Sequence, residues 1–69
     1  MRYEDRRGWL YEVRPLLGGL FRPFYRKPRA NPDLSIGWKS CHGFEAYPYK
    51  DDAERALEAY AKERNMKAV

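Results

Sequence analysis

Residues 14–29 read RPLLGGLFRPFYRKPR, with five cations (Arg14, Arg22, Arg26, Lys27 and Arg29), no acid, and Phe21, Phe24 and Tyr25 set between the charges. Guanidinium and ammonium groups meet phosphate oxygens, and flat rings stack on bases. The mixture therefore suits a surface for nucleic acid, or for an acidic protein surface that imitates one. Arg26, Lys27 and Arg29 around Pro28 form a compact cluster of the kind that grips phosphates without sequence preference. A solvated loop or the polar outer face of a sheet has the same composition.

Covalent chemistry finds less support. Cys41 and His42 set a thiol beside an imidazole, but neighbours along a strand point to opposite faces, which argues against a nucleophile and its base. Asp51, Asp52 and Glu54 open a helix, where capping and the helix dipole account for three acids without a metal. One Cys and one His exclude a zinc finger. No phosphate loop, dinucleotide glycine pattern or catalytic triad occurs. The expectation is a binding module that is not an enzyme and uses no metal and no cofactor.

These residues need elements to position them. Along residues 9–17, Trp9, Tyr11 and Val13 alternate with Leu10, Glu12 and Arg14, which is strand periodicity. Gly18-Gly19 supplies a hairpin turn, and residues 20–27 return, with Pro23 requiring an edge position or an outward-facing nitrogen. Residues 28–37 carry loop punctuation. Residues 37–42 suit a third strand, with Trp38, Ser40 and His42 on one face and Lys39 and Cys41 on the other. Asp51 is placed to cap a helix with Glu54 three residues on, and Ala53, Ala56, Leu57 and Tyr60 form its apolar stripe. Tyr47, Pro48 and Tyr49 are placed to staple the start of that helix or to stack on bases or a partner groove, and the helix fades near Asn65.

The fold class expected is α+β: a three-stranded antiparallel β-sheet with one C-terminal α-helix packed on one face (β-β-β-α). It forms a single domain over residues 9–67, after a flexible basic arm at residues 1–8. With Trp9, Tyr11 and Val13 under the helix, the simplest register turns Arg14, Arg22, Arg26 and Lys39 outward on the uncovered face.

At 69 residues the core is small, and 16% aromatics compensate with bulk; dimerisation would hide any surplus, so monomer and homodimer both remain open. The net charge is +4, yet residues 1–30 carry eight basic and three acidic groups while the remainder carries six and seven, so the basic character is local. A single cysteine excludes an internal disulfide and reads as a cytoplasmic protein. No apolar stretch approaches a membrane span.

The strand of residues 9–13, the strand through Cys41, Gly43-Phe44, and the phrase DDAERALEAY at residues 51–60 together resemble the AP2-like arm-binding domains of tyrosine integrases. The resemblance implies a sheet face laid in the DNA major groove through Arg14, Arg22, Arg26 and Lys39. The chain also looks like small phage or mobile-element modulators, including anti-CRISPR proteins, in size and style. Two functions follow: a nucleic-acid-binding module, with DNA favoured, or an inhibitor or adaptor that binds a host protein through Leu16, Leu17, Leu20 and Phe21 at the hairpin tip.

Overall fold

A computed structural model describes residues 1–28 and 32–69. The elements run β1 (Arg2–Glu4), β2 (Leu10–Leu16), β3 (Leu20–Arg26), β4 (Lys39–Ser40), α1 (Lys50–Glu63) and β5 (Lys67–Ala68). β2 and β3 form the expected hairpin, with Leu16 facing Leu20 across a turn in which Gly18 and Gly19 take φ of +86° and +77°. Side chains other than glycine rarely adopt these angles, which is why two glycines stand at this turn. Pairing continues without a slip to Leu10 opposite Arg26, so the alternation of β2 becomes two distinct faces.

One face turns to the helix. Tyr3, Tyr11 and Val13 are buried there with Ala53, Leu57 and Ala61 of α1, and Trp9, Phe21, Tyr25 and Tyr60 pack against them. Pro23 lies fully buried opposite Val13. Phe21 turns both its N–H and its carbonyl to Tyr47, at 2.7 Å each, so two residues on the Pro23 nitrogen also points away from β2. It falls where no ladder bond is required, and the Pro23 carbonyl accepts from the Cys41 amide at 3.0 Å.

The sheet has five strands rather than the three expected, in the order β4-β3-β2-β1-β5, with every pairing antiparallel. β1 lies within the residues read as an arm. Its one apolar side chain, Tyr3, sits opposite Tyr11 and shares its burial. β5 follows from the end of the helix. Asn65 takes a left-handed φ of 56°, its amide donates to the Lys62 carbonyl, and the Met66 amide donates to the Ala61 carbonyl at 2.9 Å. This Schellman turn folds the chain back so that Lys67 and Ala68 pair with β1.

The helix itself starts differently from expectation. Tyr49, not Asp51, is the N-cap, and no side chain caps it. Tyr49 is the last extended residue, so Asp51 already lies inside the first turn, where its charge favours the dipole. Asp52 accepts from Arg55 at 2.6 Å, and Glu58 and Lys62 pair at 3.4 Å.

The third strand is also shorter than residues 37–42, being only Lys39 and Ser40. Trp38 leaves the ladder to lie near the Arg14 and Arg2 guanidiniums, 5.1 and 5.7 Å from its ring centre. The outer face is therefore not left open: residues 33–38 cross it, held by Arg26.

Candidate functional site

Arg14 and Arg22 pair directly across β2 and β3 and share the outer face with Glu12, Phe24 and Arg26. Arg14 is engaged by an acid and Arg22 by a neutral hydroxyl, while the buried Nε of Arg22 has no hydrogen-bond partner among the described residues. Glu12 accepts from Arg2 at 2.7 Å and from Arg14 at 3.4 Å, and Arg22 donates to the Ser40 hydroxyl at 3.1 Å. Arg26 is 5% exposed, and its guanidinium donates to the carbonyls of Ile36 at 2.8 Å and Asp33 at 3.0 Å. An arginine used in this way is a strut, with its charge spread over backbone oxygens.

Lys39 does not join that set. It stands opposite Tyr25, on the helix side of the sheet, because β4 enters the ladder one residue out of phase with the expected register. Lys27 belongs to the same side, with its ammonium 5.2 Å from the centre of the Trp9 ring. Arg29 lies outside the described residues.

Trp9 is the centre of a second arrangement. Tyr25 stacks on it at 5.5 Å, and the Arg7 guanidinium lies 3.7 Å from its ring centre. The turn from β1 to β2 is built to hold Arg7 there. One Asp5 carboxylate oxygen accepts from the amides of Arg7 and Trp9 at 2.9 and 3.1 Å; the other accepts from the Arg7 guanidinium at 2.9 Å and from the Tyr11 hydroxyl at 3.2 Å. Burial alone would raise the Asp5 carboxyl, but these hydrogen bonds outweigh it and hold the group below its ordinary value. Burial first, and then the Asp5 charge, push the Tyr11 phenol up to about 12.

Across from Trp9 and Tyr25, Phe44 meets Tyr60 edge-on at 5.2 Å, and the Arg64 guanidinium lies 4.8 Å from the Tyr60 ring centre. Between the two aromatic pairs opens a cleft of about 360 Å³, lined also by Arg7, Tyr11, Cys41 and Gly43. Burial pushes the Cys41 thiol up to about 11, so it lines the cleft as a protonated, weakly polar group. Arg7 and Tyr60 also line a neighbouring depression of about 320 Å³, together with Arg6, Arg64 and Met66. A third depression adds Lys67 beside Arg6, with Glu4 and Asp5 as its acids.

Sequence reasoning named Lys27 and Lys39 and saw Arg6 and Arg7 as part of a basic arm, but it missed that Arg64 and Lys67, at the far end of the chain, join them. For Arg7 the available signal was Asp5 two residues before it, a spacing that closes an Asx turn and places the cation beside Trp9. At the hairpin tip, Leu17 is 99% exposed, Leu16 and Leu20 are half-buried, and Phe21 is drawn inward by its bridge to Tyr47. Among the described residues no group of three or more His, Cys, Asp or Glu is placed to hold a metal ion, and no helix is long and apolar enough to cross a membrane. Comparison with family models, curated proteins and solved structures returns no match.

Proposed function

We propose that this chain is a small, non-enzymatic nucleic-acid-binding module of the cytoplasm. One observation carries the reading: Arg6, Arg7, Arg64 and Lys67, all exposed, gather at one end of the molecule in adjoining depressions, next to Lys27. Cations from three separate parts of the chain converge there, and while Arg7 pairs with Asp5 at 2.9 Å, Arg6, Arg64 and Lys67 have no ion pair among the described residues. Such an end attracts a polyanion. The resemblance to integrase arm-binding domains favours DNA as the ligand. The intramolecular partners of Arg14, Arg22 and Arg26 argue for moving the contact from the outer sheet face to this end.

Fluorescence anisotropy of labelled DNA and RNA at two salt concentrations tests the reading. Affinity should fall as salt rises, and a double Arg6→Glu, Arg64→Glu variant should lose most of the binding while keeping its fold, since both side chains are exposed. Absence of binding at low salt would overturn it.

A second reading, a phage or mobile-element inhibitor that binds an acidic host protein, is favoured by the exposed Leu17 at the tip of the hairpin whose strands carry Arg14 and Arg22. Leu17→Asp separates the two. It leaves nucleic-acid affinity unchanged under the first reading and removes partner binding under the second.

A further inference from the structure

We infer that the aromatic cleft takes one unstacked base of a single-stranded nucleic acid, with the neighbouring phosphates on Arg7, Lys27 and Arg64; this rests on the nucleic-acid reading and assigns its ligand. The cleft is bounded by Trp9 and Tyr25 on the sheet and by Phe44 and Tyr60 on the helix side, and at about 360 Å³ it lies within the range of small-ligand sites. Four aromatic rings line it, Tyr25 stacked on Trp9 and Phe44 edge-on to Tyr60, and a flat base of any sequence can pack against such a lining.

Charge selects the occupant. Arg7 and Lys27 flank Trp9, and Arg64 flanks Tyr60, so cations stand on both sides of the cleft. An apolar or aromatic protein side chain would use the rings and leave Lys27 and Arg64, which have no ion pair among the described residues, without counter-charges, whereas Arg7 already pairs with Asp5 at 2.9 Å. A nucleotide uses both. Beyond Arg7 and Tyr60 the surface continues into the depression lined by Arg6 and Arg64, which provides a path for the backbone leading away from the base. In a duplex each base is stacked and paired, offering only its edges in the grooves, and none can enter a cleft between a helix and a sheet without being flipped out.

Gly43 gives a clean test. It lines the cleft, its φ is not of the left-handed kind, and a Cβ built on it meets nothing within 4 Å. Gly43→Leu should therefore add bulk to the cleft lining without a clash, leaving every cation and ring in place. Wild type and Gly43→Leu are titrated into unstructured DNA and RNA single strands of about ten nucleotides, within the site size of one small fold, and into the matching DNA duplex. Thermal unfolding of both proteins checks that the fold is kept. Arg7→Gln, with the fold checked in the same way, serves as a second variant should Gly43→Leu perturb it.

The expected result is tighter binding of single strands than of duplex, and a loss of about tenfold for single strands in Gly43→Leu with little change for the duplex, since stacking of one base is removed. Single-strand binding unaffected by Gly43→Leu and by Arg7→Gln, or a preference for duplex, would overturn the cleft assignment and leave the nucleic-acid reading standing. Failure of all three nucleic acids to bind at low salt would overturn both.

Discussion

The Arg26 guanidinium donates to the carbonyl oxygens of Asp33 and Ile36, and so binds the 33–38 segment to the outer face of the sheet. Arg26→Leu removes the donors and leaves the carbonyls behind, so the variant should lose about 2–4 kcal/mol of stability in urea unfolding. An unchanged midpoint would mean that the segment is held by something else. Basic residues that look alike in sequence thus divide into a strut, Arg26, and exposed cations such as Lys27, and composition cannot separate them because burial depends on which carbonyls lie within reach. The same scale carries a pH dependence. Burial raises the Cys41 thiol from 9.0 to about 11 and the Tyr11 phenol from 10.0 to about 12. Each group therefore supports folding fully below its unfolded value, and that support is lost as pH rises through its folded value. Urea midpoints should stay level up to about pH 9 and fall above it, with the first part of the fall absent in Cys41→Ala. A fall of the same onset and size in Cys41→Ala would contradict the assignment.

Among the elements, the hairpin and the helix are legible in sequence because each carries its own signal: alternation around two glycines in one case, an apolar stripe in the other. β1 and β5 are not, because three charged-flanked residues and a two-residue strand have too few positions to show a period. Tyr3 is buried only because Tyr11 lies opposite it and α1 above, a fact of tertiary structure. The hairpin also yields a comparison within one molecule. At both Gly18 and Gly43 an added Cβ meets nothing within 4 Å, but only Gly18 has a positive φ, +86°. Gly18→Ala should cost about 1–2 kcal/mol from backbone conformation alone, while Gly43→Ala should be neutral or stabilising by up to about 1 kcal/mol. Equal effects at the two positions would mean that the turn does not require its left-handed angles.

At the scale of the whole molecule, 32 × 26 × 18 Å, the two faces of the sheet have different electrostatic characters. On the outer face Glu12 draws in Arg2 and Arg14, Trp38 lies near both, and Arg26 is sealed beneath its own loop. On the helix side Arg7, Lys27 and Arg64 stand beside rings that border open space. The sequence shows the excess of cations near the N-terminus; register and turn geometry decide where they come together, and a one-residue difference in how β4 enters the ladder moves Lys39 from one face to the other. The two tryptophans report on this division, Trp9 from the cleft and Trp38 from the outer face. The most direct measurement is a two-dimensional 15N–1H NMR titration of the labelled protein with a short single-stranded oligonucleotide at low salt, following the two indole N–H signals. The signal of Trp9 should shift with increasing ligand while that of Trp38, whose indole N–H donates to the Leu34 carbonyl at 2.7 Å, stays in place. Movement of Trp38 with Trp9 unmoved would put the contact on the outer sheet face and contradict the account.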